Sequence, residues 1–583
     1  MSQLDPQAVA ALLEAPGHCL VSGGPGSGKT TLALEKAVAR IAAGMDAGQA
    51  VLFLSFSRAA VGRLIEAGAK SIPHSYRNKL IVQTFHSFFW NLLGCHAYLL
   101  GTPPTLQILM PHDERAISQG IRPDGSDWPA WERERELLFF RDGRIAFDLF
   151  APMTLHLIKR STGIKNLITQ QYPLIIVDEA QDTGPDAWEI ICELKDKVQI
   201  VCLVDPEQQI FDHLPGVGPE RIDAIRRELS PMEVDLGQQN NRSPGTEIAV
   251  FANDILHGRP RGRAYTGVSR LTYNPKHDLN LPLRKSLAIV YRKARAMGIR
   301  PENCAILATT GAQVAEITAA LSNGSRPVAH KVVFDEAQAL LASRLAAFLL
   351  EPLRLAPINA SIIEGLELFA NIERAAGTVG GRKVAGDCQK WAREYANGKQ
   401  LPKKGLATSL RSILMELQAT GFCGDPRVDW SRVKDALRNA DDKRLTKIAG
   451  HLDYLIAFGR GRFLASNLLS CWMQTGTYAG ARAAFDSALA QDSILEASQE
   501  LGGIHVMTIH RAKGKQFDGV IVVRKGVPTG PRQWRSSFVW RDDSPPYQRS
   551  RKILRVAITR ARKHVLILDP AFPQCPLLQG HSL

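Results

Sequence analysis

Gly23-Gly24-Pro25-Gly26-Ser27-Gly28-Lys29-Thr30-Thr31 follows the apolar run Cys19-Leu20-Val21-Ser22 and opens a stretch with helical spacing. Every fixed position of GxxxxGK[ST] is met, in the strand–turn–helix context that the pattern requires. Glycines at this density let backbone N–H groups converge on phosphate oxygens. The N-terminus of the helix beyond adds partial positive charge. In such a loop Lys29 reaches the β- and γ-phosphates of ATP, and Thr30 holds the Mg²⁺ ion.

The nearest partner is Leu174-Ile175-Ile176-Val177-Asp178-Glu179, an apolar run that ends in two carboxylates. In a parallel α/β sheet, ligands bind at the carboxyl ends of strands. Asp178 suits Mg²⁺, and Glu179 is placed to orient and deprotonate an attacking water. Further short apolar runs lie at Val51–Phe56, Ile81–Thr84 and Val198–Val204, alternating with helical stretches. That rhythm predicts a mostly parallel sheet covered by helices on both faces.

A second α/β region begins near Gln238, with strands expected at Cys304–Thr309, Val506–Ile509, Gly519–Val523 and Val565–Leu568. Two stretches break the rhythm. Residues 91–171 are charged and helical, and residues 346–499 are long, helical and strand-poor. The expected division is a first core at 1–90 and 172–237, a second core at 238–345 and 500–583, and an insertion in each. A cleft between two cores would bind ATP, with an arginine from the second completing the site.

The chain has 583 residues, 45% of them hydrophobic, which is enough for about two to four domains. A formal charge of +15 favours polyanionic partners, nucleic acid or an acidic surface. The nine cysteines are scattered without a CxxC pair, which argues against a disulfide framework or a zinc site. Met1 to Leu13 lack a basic n-region and include Asp5, so no signal peptide is expected. The apolar stretch Leu345–Leu355 is broken by Glu351 and Arg354, and no run reaches the roughly 18 residues of a membrane span. A cytoplasmic protein is expected, nucleoid-associated if bacterial.

The ordered motifs resemble those of UvrD/Rep-type superfamily 1 DNA helicases, including the RecB-like branch. After the P-loop come Leu54-Ser55-Phe56-Ser57-Arg58 and Thr84-Phe85-His86-Ser87-Phe88. Next are Asp178-Glu179-Ala180-Gln181-Asp182-Thr183, a DEAQDT form, and Val204-Asp205-Pro206-Glu207-Gln208-Gln209-Ile210-Phe211. Asn240-Asn241-Arg242-Ser243, Met507-Thr508-Ile509-His510-Arg511-Ala512-Lys513-Gly514-Lys515-Gln516-Phe517-Asp518 and Val556-Ala557-Ile558-Thr559-Arg560-Ala561 complete the set.

The resemblance implies an α/β fold of two RecA-like P-loop cores, each with a largely helical insertion. It implies that Gln208 and Arg242 contact the γ-phosphate, that Arg560 is the finger arginine, and that Gln181 and Gln516 couple nucleotide to the domain interface. Ser55, Phe56, Thr84, Phe85, His86, Phe211, Thr508 and His510 would face DNA. Several positions depart from the pattern. Asn241 replaces a stacking aromatic, Gln516 a glutamate and Arg555 a tyrosine. His213 stands where many unwinding members have an aromatic, and Gln7 lies three residues after Leu4 instead of four.

Read as chemistry alone, Phe56, Phe85, His86, Phe211 and His510 are groups that can stack on unpaired bases, each worth about 1–3 kcal/mol. Phe88 and Phe89 are expected in the core, whereas Phe85 and Phe211 lie nearer polar loops and are expected to be more exposed. The stretch from Gly526 to Tyr547, with Trp534, Arg535 and Trp540, is either a solvated loop or a nucleic-acid contact. The resulting expectation is an ATP-dependent single-strand translocase and DNA helicase of 3′–5′ polarity, acting on single-stranded and tailed duplex DNA. The alternative is a DNA-activated ATPase switch that unwinds little by itself. With no convincing nuclease carboxylate cluster, a nuclease or repair factor would be a separate protein partner.

Overall fold

The computed structural model describes residues 6–55, 73–119, 121, 125–206, 219–237, 243–276, 278–296, 301–322, 327–333, 337–352, 358–375, 379–456, 461–487, 502–530, 533–541 and 543–583. The chain forms two compact units, one of residues 1–92, 151–333 and 497–583, the other of residues 93–150 and 334–496.

The first unit holds two six-stranded sheets. We label their strands β1 Cys19–Ser22, β2 Val51–Ser55, β3 Leu80–Thr84, β4 Leu174–Val177, β5 Gln199–Val204 and β6 Met232–Asp235, then β7 Val268–Tyr273, β8 Asn303–Ala308, β9 Lys331–Val333, β10 Gly503–Thr508, β11 Phe517–Val523 and β12 Ala561–Pro570. The first sheet runs β3-β2-β4-β5-β1-β6 and the second β9-β10-β8-β11-β12-β7. All neighbouring pairs in both sheets are parallel. The expected α/β class with two parallel cores and helical insertions is the fold observed.

The physical reason lies in the strand sequences. Val51–Ser55, Leu174–Val177 and Phe517–Val523 are buried along their whole length. A strand covered on both faces needs a continuous apolar run, and only parallel sheets with helices on each side provide that cover. Within the two large sheets, the strands not anticipated all lie at edges. β6, β7 and β9 carry mixed sequences, MEVD, VSRLTY and KVV. β7 is buried at its two ends and more open between them. Phe88 and Phe89 are buried as expected, 5.9 Å apart between ring centroids.

The second unit is chiefly helical. Its core joins Met110 and Ala116 to residues between Leu340 and Phe485. Stretches far apart in sequence therefore share one apolar interior. Arg344, half-buried, pairs with both Asp113 and Asp486 and so joins the same distant stretches. The apolar run at Leu345–Leu350 lies in the helix Ala337–Leu350 and is buried. Among the described residues no helix is long and apolar enough to cross a membrane.

Candidate nucleotide site and nucleic-acid face

β1 delivers the chain into the glycine-rich turn, and the helix Lys29–Ala42 leaves it. The turn is tied down by its own backbone. Gly24 N donates to Gly237 O at 3.0 Å, and Ser27 N donates to Gly24 O at 3.2 Å. Gly26 and Gly28 have φ of +84° and +101°, a region that side chains with a Cβ rarely occupy. At Gly23 a Cβ would lie 2.5 Å from Ser27 Oγ and 3.2 Å from Leu236 Cβ, so this position has no room for a larger residue.

Lys29 Nζ donates to the carbonyls of Gly23 at 2.6 Å and Gly24 at 3.0 Å. Its charge is thus held across the loop. Ser27 Oγ is buried within the loop and has no hydrogen-bond partner among the described residues. A glycine cradle that a Cβ would fill, an orphaned hydroxyl and an ammonium fit a polyphosphate. Thr30 and Thr31 are exposed at the start of the helix.

β4 ends beside this loop in the acidic pair. Asp178 accepts a hydrogen bond from Ser55 Oγ at 3.1 Å. A carboxylate with hydroxyls nearby is a hard-oxygen donor set of the kind Mg²⁺ prefers, completed by phosphate and water. Among the described residues no cluster of three or more His, Cys, Asp or Glu side chains forms a metal cage.

Glu179 has φ of +52°, a left-handed backbone held by a non-glycine residue. Such conformations cost of order 1–3 kcal/mol and persist where surroundings over-determine them. Here Gln181 Nε2 donates to Glu179 Oε2 at 2.5 Å, and Gln181 Oε1 accepts from Asp205 N at 3.2 Å. Gln181 therefore ties the end of β4 to the end of β5. Burial pushes the Glu179 carboxyl up, but Lys513, Lys29, Arg560 and the Gln181 hydrogen bond outweigh it and hold it below the ordinary carboxylate value. Glu179 is ionised at neutral pH, as a general base must be.

Cations of the second core reach this acid cluster. Lys513 Nζ, from the segment after β10, is hydrogen-bonded to Asp182 Oδ2, a residue 331 positions away in sequence. Burial raises the Asp182 carboxyl; Lys513 pulls it down, and Glu179 and Asp205 push it up again, to about 7. Arg560 is almost fully buried, with Nε on Val556 O at 3.0 Å and Nη2 on Thr559 Oγ1 at 3.1 Å. Arg555 Nη1 lies 3.9 Å from Asp205 Oδ1, and Lys29 Nζ lies 4.0 Å from Asp205 Oδ2.

The raised Asp182 carboxyl has a measurable consequence. Because its folded value exceeds the ordinary 3.8, its contribution to stability is full below 3.8 and is lost as pH rises through about 7. The unfolding midpoint of the wild-type protein should therefore fall relative to Asp182→Asn between about pH 4 and pH 7, then run parallel to it. Thermal melts of both proteins across that range check the sign. An unchanged difference would place the Asp182 carboxyl at its ordinary value.

The expected DNA-side residues fall into distinct settings. Thr84 accepts from Ser87 N at 3.1 Å and so caps the helix Phe85–His96, leaving His86 exposed. Thr508 is the residue before the one-turn helix Ile509–Ala512. His510 packs on the edge of Trp540, 5.5 Å between centroids, and Arg549 lies 5.3 Å over the same indole. Two expectations are corrected. Phe85 is only 5% exposed and packs against Phe89, because the helix it begins turns that ring into the core. Ser55 is fully buried, its hydroxyl spent on Asp178, and so presents no surface to a nucleic acid.

Gln516 accepts from Arg562 Nε at 3.2 Å, so its side chain is engaged within the second core. Phe56, Gln208, Phe211, His213, Asn241 and Arg242, and the side chain of Gln7, lie outside the described residues. Trp534 and Arg535 belong to an antiparallel hairpin, Gly526–Gly530 with Gln533–Ser536, in place of the expected loop. Lys513, Asp182, Asp205 and Arg555 were not singled out as site residues by sequence. All four lie inside or beside the quoted motifs, which is the signal that would have found them.

The chain matches the UvrD/REP helicase N-terminal domain over residues 4–141 and 132–217, and the UvrD-like helicase C-terminal domain over residues 482–569. It is 22% identical over 277 residues to the ATP-dependent DNA helicase Rep of Buchnera aphidicola, covering 41% of this chain and 42% of that protein. Against ATP-dependent DNA helicase PcrA of Bacillus subtilis the figures are 21% over 294 residues, 44% and 40%, and against Rep of Escherichia coli 21% over 296 residues, 44% and 44%. The chain thus matches well under two thirds of the length of these relatives. With both domain models in order along two parallel cores that meet at a P-loop, this chain belongs to the UvrD/Rep helicase family.

Proposed function

We propose that this protein is an ATP-driven motor that moves along single-stranded DNA and separates duplex strands with 3′–5′ polarity. The observation that carries the reading is the meeting of the two cores at the acids beside the P-loop, where Lys513 of the second core is hydrogen-bonded to Asp182 of the first and Lys29 and Arg555 stand 4.0 and 3.9 Å from the two oxygens of Asp205. A nucleotide bound between such groups couples phosphate charge to the closure of two cores, and closure and release can step the cores along a strand.

In this reading the backbone from Gly23 to Thr31 cradles the phosphates and Lys29 neutralises them. Thr30 and Asp178 hold Mg²⁺, which when bound supplies charge neutralisation at the transferring phosphoryl group. Glu179 orients and deprotonates the attacking water, Gln181 aligns Glu179, and Arg560 stabilises charge that develops in the transition state. Gln208 and Arg242 serve as further γ-phosphate contacts, and Gln516 as a coupling residue. The nucleic-acid face comprises Phe56, His86, Phe211, Thr508 and His510, with Thr84 capping the helix that presents His86. The proposed substrates are ATP and single-stranded or tailed duplex DNA, the proposed setting cytoplasmic, with a separate nuclease or repair factor as protein partner.

A second reading, a DNA-activated ATPase switch with little unwinding of its own, draws on Asn241, His213 and the engagement of Gln516 by Arg562. Two assays separate the readings. ATP turnover should rise on adding single-stranded DNA at low salt, where phosphate contacts are strongest. Duplexes with 3′ tails should be displaced and those with 5′ tails left intact. Stimulation without displacement selects the switch. Absence of both stimulation and DNA binding ends the motor reading. Lys29→Ala should weaken ATP binding about 10–100-fold, the loss of charge-assisted hydrogen bonds of roughly 1.5–3 kcal/mol, as read by equilibrium nucleotide titration.

A further inference from the structure

Trp540 follows the hairpin Gly526–Ser536 and stands where three parts of the second core meet. Phe538 and Val539, just before it, are buried in that core, and Trp540 packs half-buried against it. Its backbone N donates to Ser550 Oγ at 2.9 Å. Ser550 N and Oγ both donate to Asp543 Oδ2, at 2.7 and 2.5 Å. These bonds fold Trp540 and Asp543 back onto the first turn of the helix Gln548–Ile558 and fix where the indole stands.

Two polar groups share that indole. The His510 ring, from the one-turn helix after β10, meets it at 68° with centroids 5.5 Å apart. The Arg549 guanidinium carbon lies 5.3 Å from the indole centroid, a cation–π distance. Arg549 is half-buried, and its Nε is buried with no hydrogen-bond partner among the described residues. It forms no ion pair among them, and the Asp543 carboxylate at the same helix start is taken up by Ser550. A buried donor without an acceptor is costly, and a guanidinium has five donors to satisfy. A cation in the first turn of a helix also faces the positive end of its dipole. Both features favour an anion rich in acceptor oxygens at this guanidinium.

We propose that Arg549, held on the face of Trp540, takes a backbone phosphate of single-stranded DNA beside the position that His510 contacts. Trp540 is the positioning residue of this site, since it fixes the guanidinium and packs on His510 at once. A planar fork of donors suits a phosphate, and stacking on an indole keeps it pre-organised. The proposal rests on the nucleic-acid face put forward above.

The test uses the full chain as wild type, R549Q, R549K, W540A and R549Q/W540A, with a fluorescent oligothymidylate as probe. The dissociation constant is measured over a series of salt concentrations, together with DNA-free ATP turnover and the thermal unfolding midpoint. R549Q should bind about tenfold more weakly at low salt, the loss of a charge-assisted contact. The slope of log affinity against log salt should become shallower by about 0.7, the share of one phosphate on a single strand. R549K keeps the charge and should keep the slope. DNA-free turnover should be unchanged in R549Q. The double variant should bind no more weakly than W540A, because loss of the indole already removes the hold on Arg549.

Unchanged affinity and slope in R549Q, or effects that multiply in the double variant, overturn the proposal and leave Arg549 a solvated cation that merely packs on Trp540. Should W540A fail to fold, W540L keeps apolar bulk without a π face and takes its place. A wild-type chain that does not bind the oligonucleotide at low salt overturns the nucleic-acid face itself. Wild-type binding with an unmoved slope in R549Q overturns only the role of Arg549.

Discussion

Glu179→Gln is expected to lower ATP turnover by about 10²–10⁴-fold, the usual worth of a positioned general base. Nucleotide binding should survive. Glutamine keeps the shape of the side chain and still accepts from Gln181 Nε2 through its amide oxygen. What disappears is the negative charge that Lys513, Lys29 and Arg560 hold in its ionised form. The site becomes more positive by one unit, so affinity for a polyanion should stay level or rise. Equilibrium titration with ATP and single-turnover hydrolysis, measured separately, check both halves. Normal turnover in this variant would remove Glu179 as the base and move the search to the water-facing groups around Asp178.

Arg560→Ala is expected to reduce kcat by about 10³–10⁵-fold, the range for an arginine that stabilises a phosphoryl-transfer transition state. Geometry adds a second, independent signature. Arg560 is one of the cations that hold the Glu179 carboxyl down. Its removal should raise that carboxyl, because burial acts in the opposite direction. The acid limb of the pH–turnover profile should then shift to higher pH in Arg560→Ala, and only slightly in Arg560→Lys. A fall in kcat with an unmoved acid limb would mean that Arg560 does not act on Glu179. Thermal melts of the same variants separate these effects from lost packing, since the side chain is almost fully buried and bonded to Val556 O and Thr559 Oγ1.

The central strands were legible because burial on both faces demands an unbroken apolar run. Leu174–Val177 and Gln199–Val204 carry one, and their observed limits lie within a residue of those read from sequence. Edge strands have no such demand. Met232–Asp235 alternates polar and apolar residues and has one strand neighbour, β1, so its local sequence resembles a turn-rich connection. The same logic explains Phe85. Its nearness to a polar loop suggested exposure, whereas the capping of the helix by Thr84 fixes the rotation that sends the ring inward.

The site divides in the same way. Phosphate-loop chemistry is local, because consecutive backbone N–H groups and one lysine make the cradle, so nine adjacent residues were enough to expect it. The acids at the end of β4 were legible for the same reason. What no local pattern contains is which cation meets which carboxylate. Asp182 and Lys513 lie on different cores, and Ser55 turns to Asp178 instead of outward only because β2 and β4 are neighbours in the sheet. Charge in a buried cleft acts over several ångströms in every direction, so the ionisation of Glu179 and the raised carboxyl of Asp182 belong to the folded arrangement of two cores. The sequence by itself determined the parallel α/β class, the P-loop and its acids, through burial and backbone geometry. The tertiary structure decided the pairing of cations with acids, because Coulombic interaction depends on distance in space and not on separation along the chain.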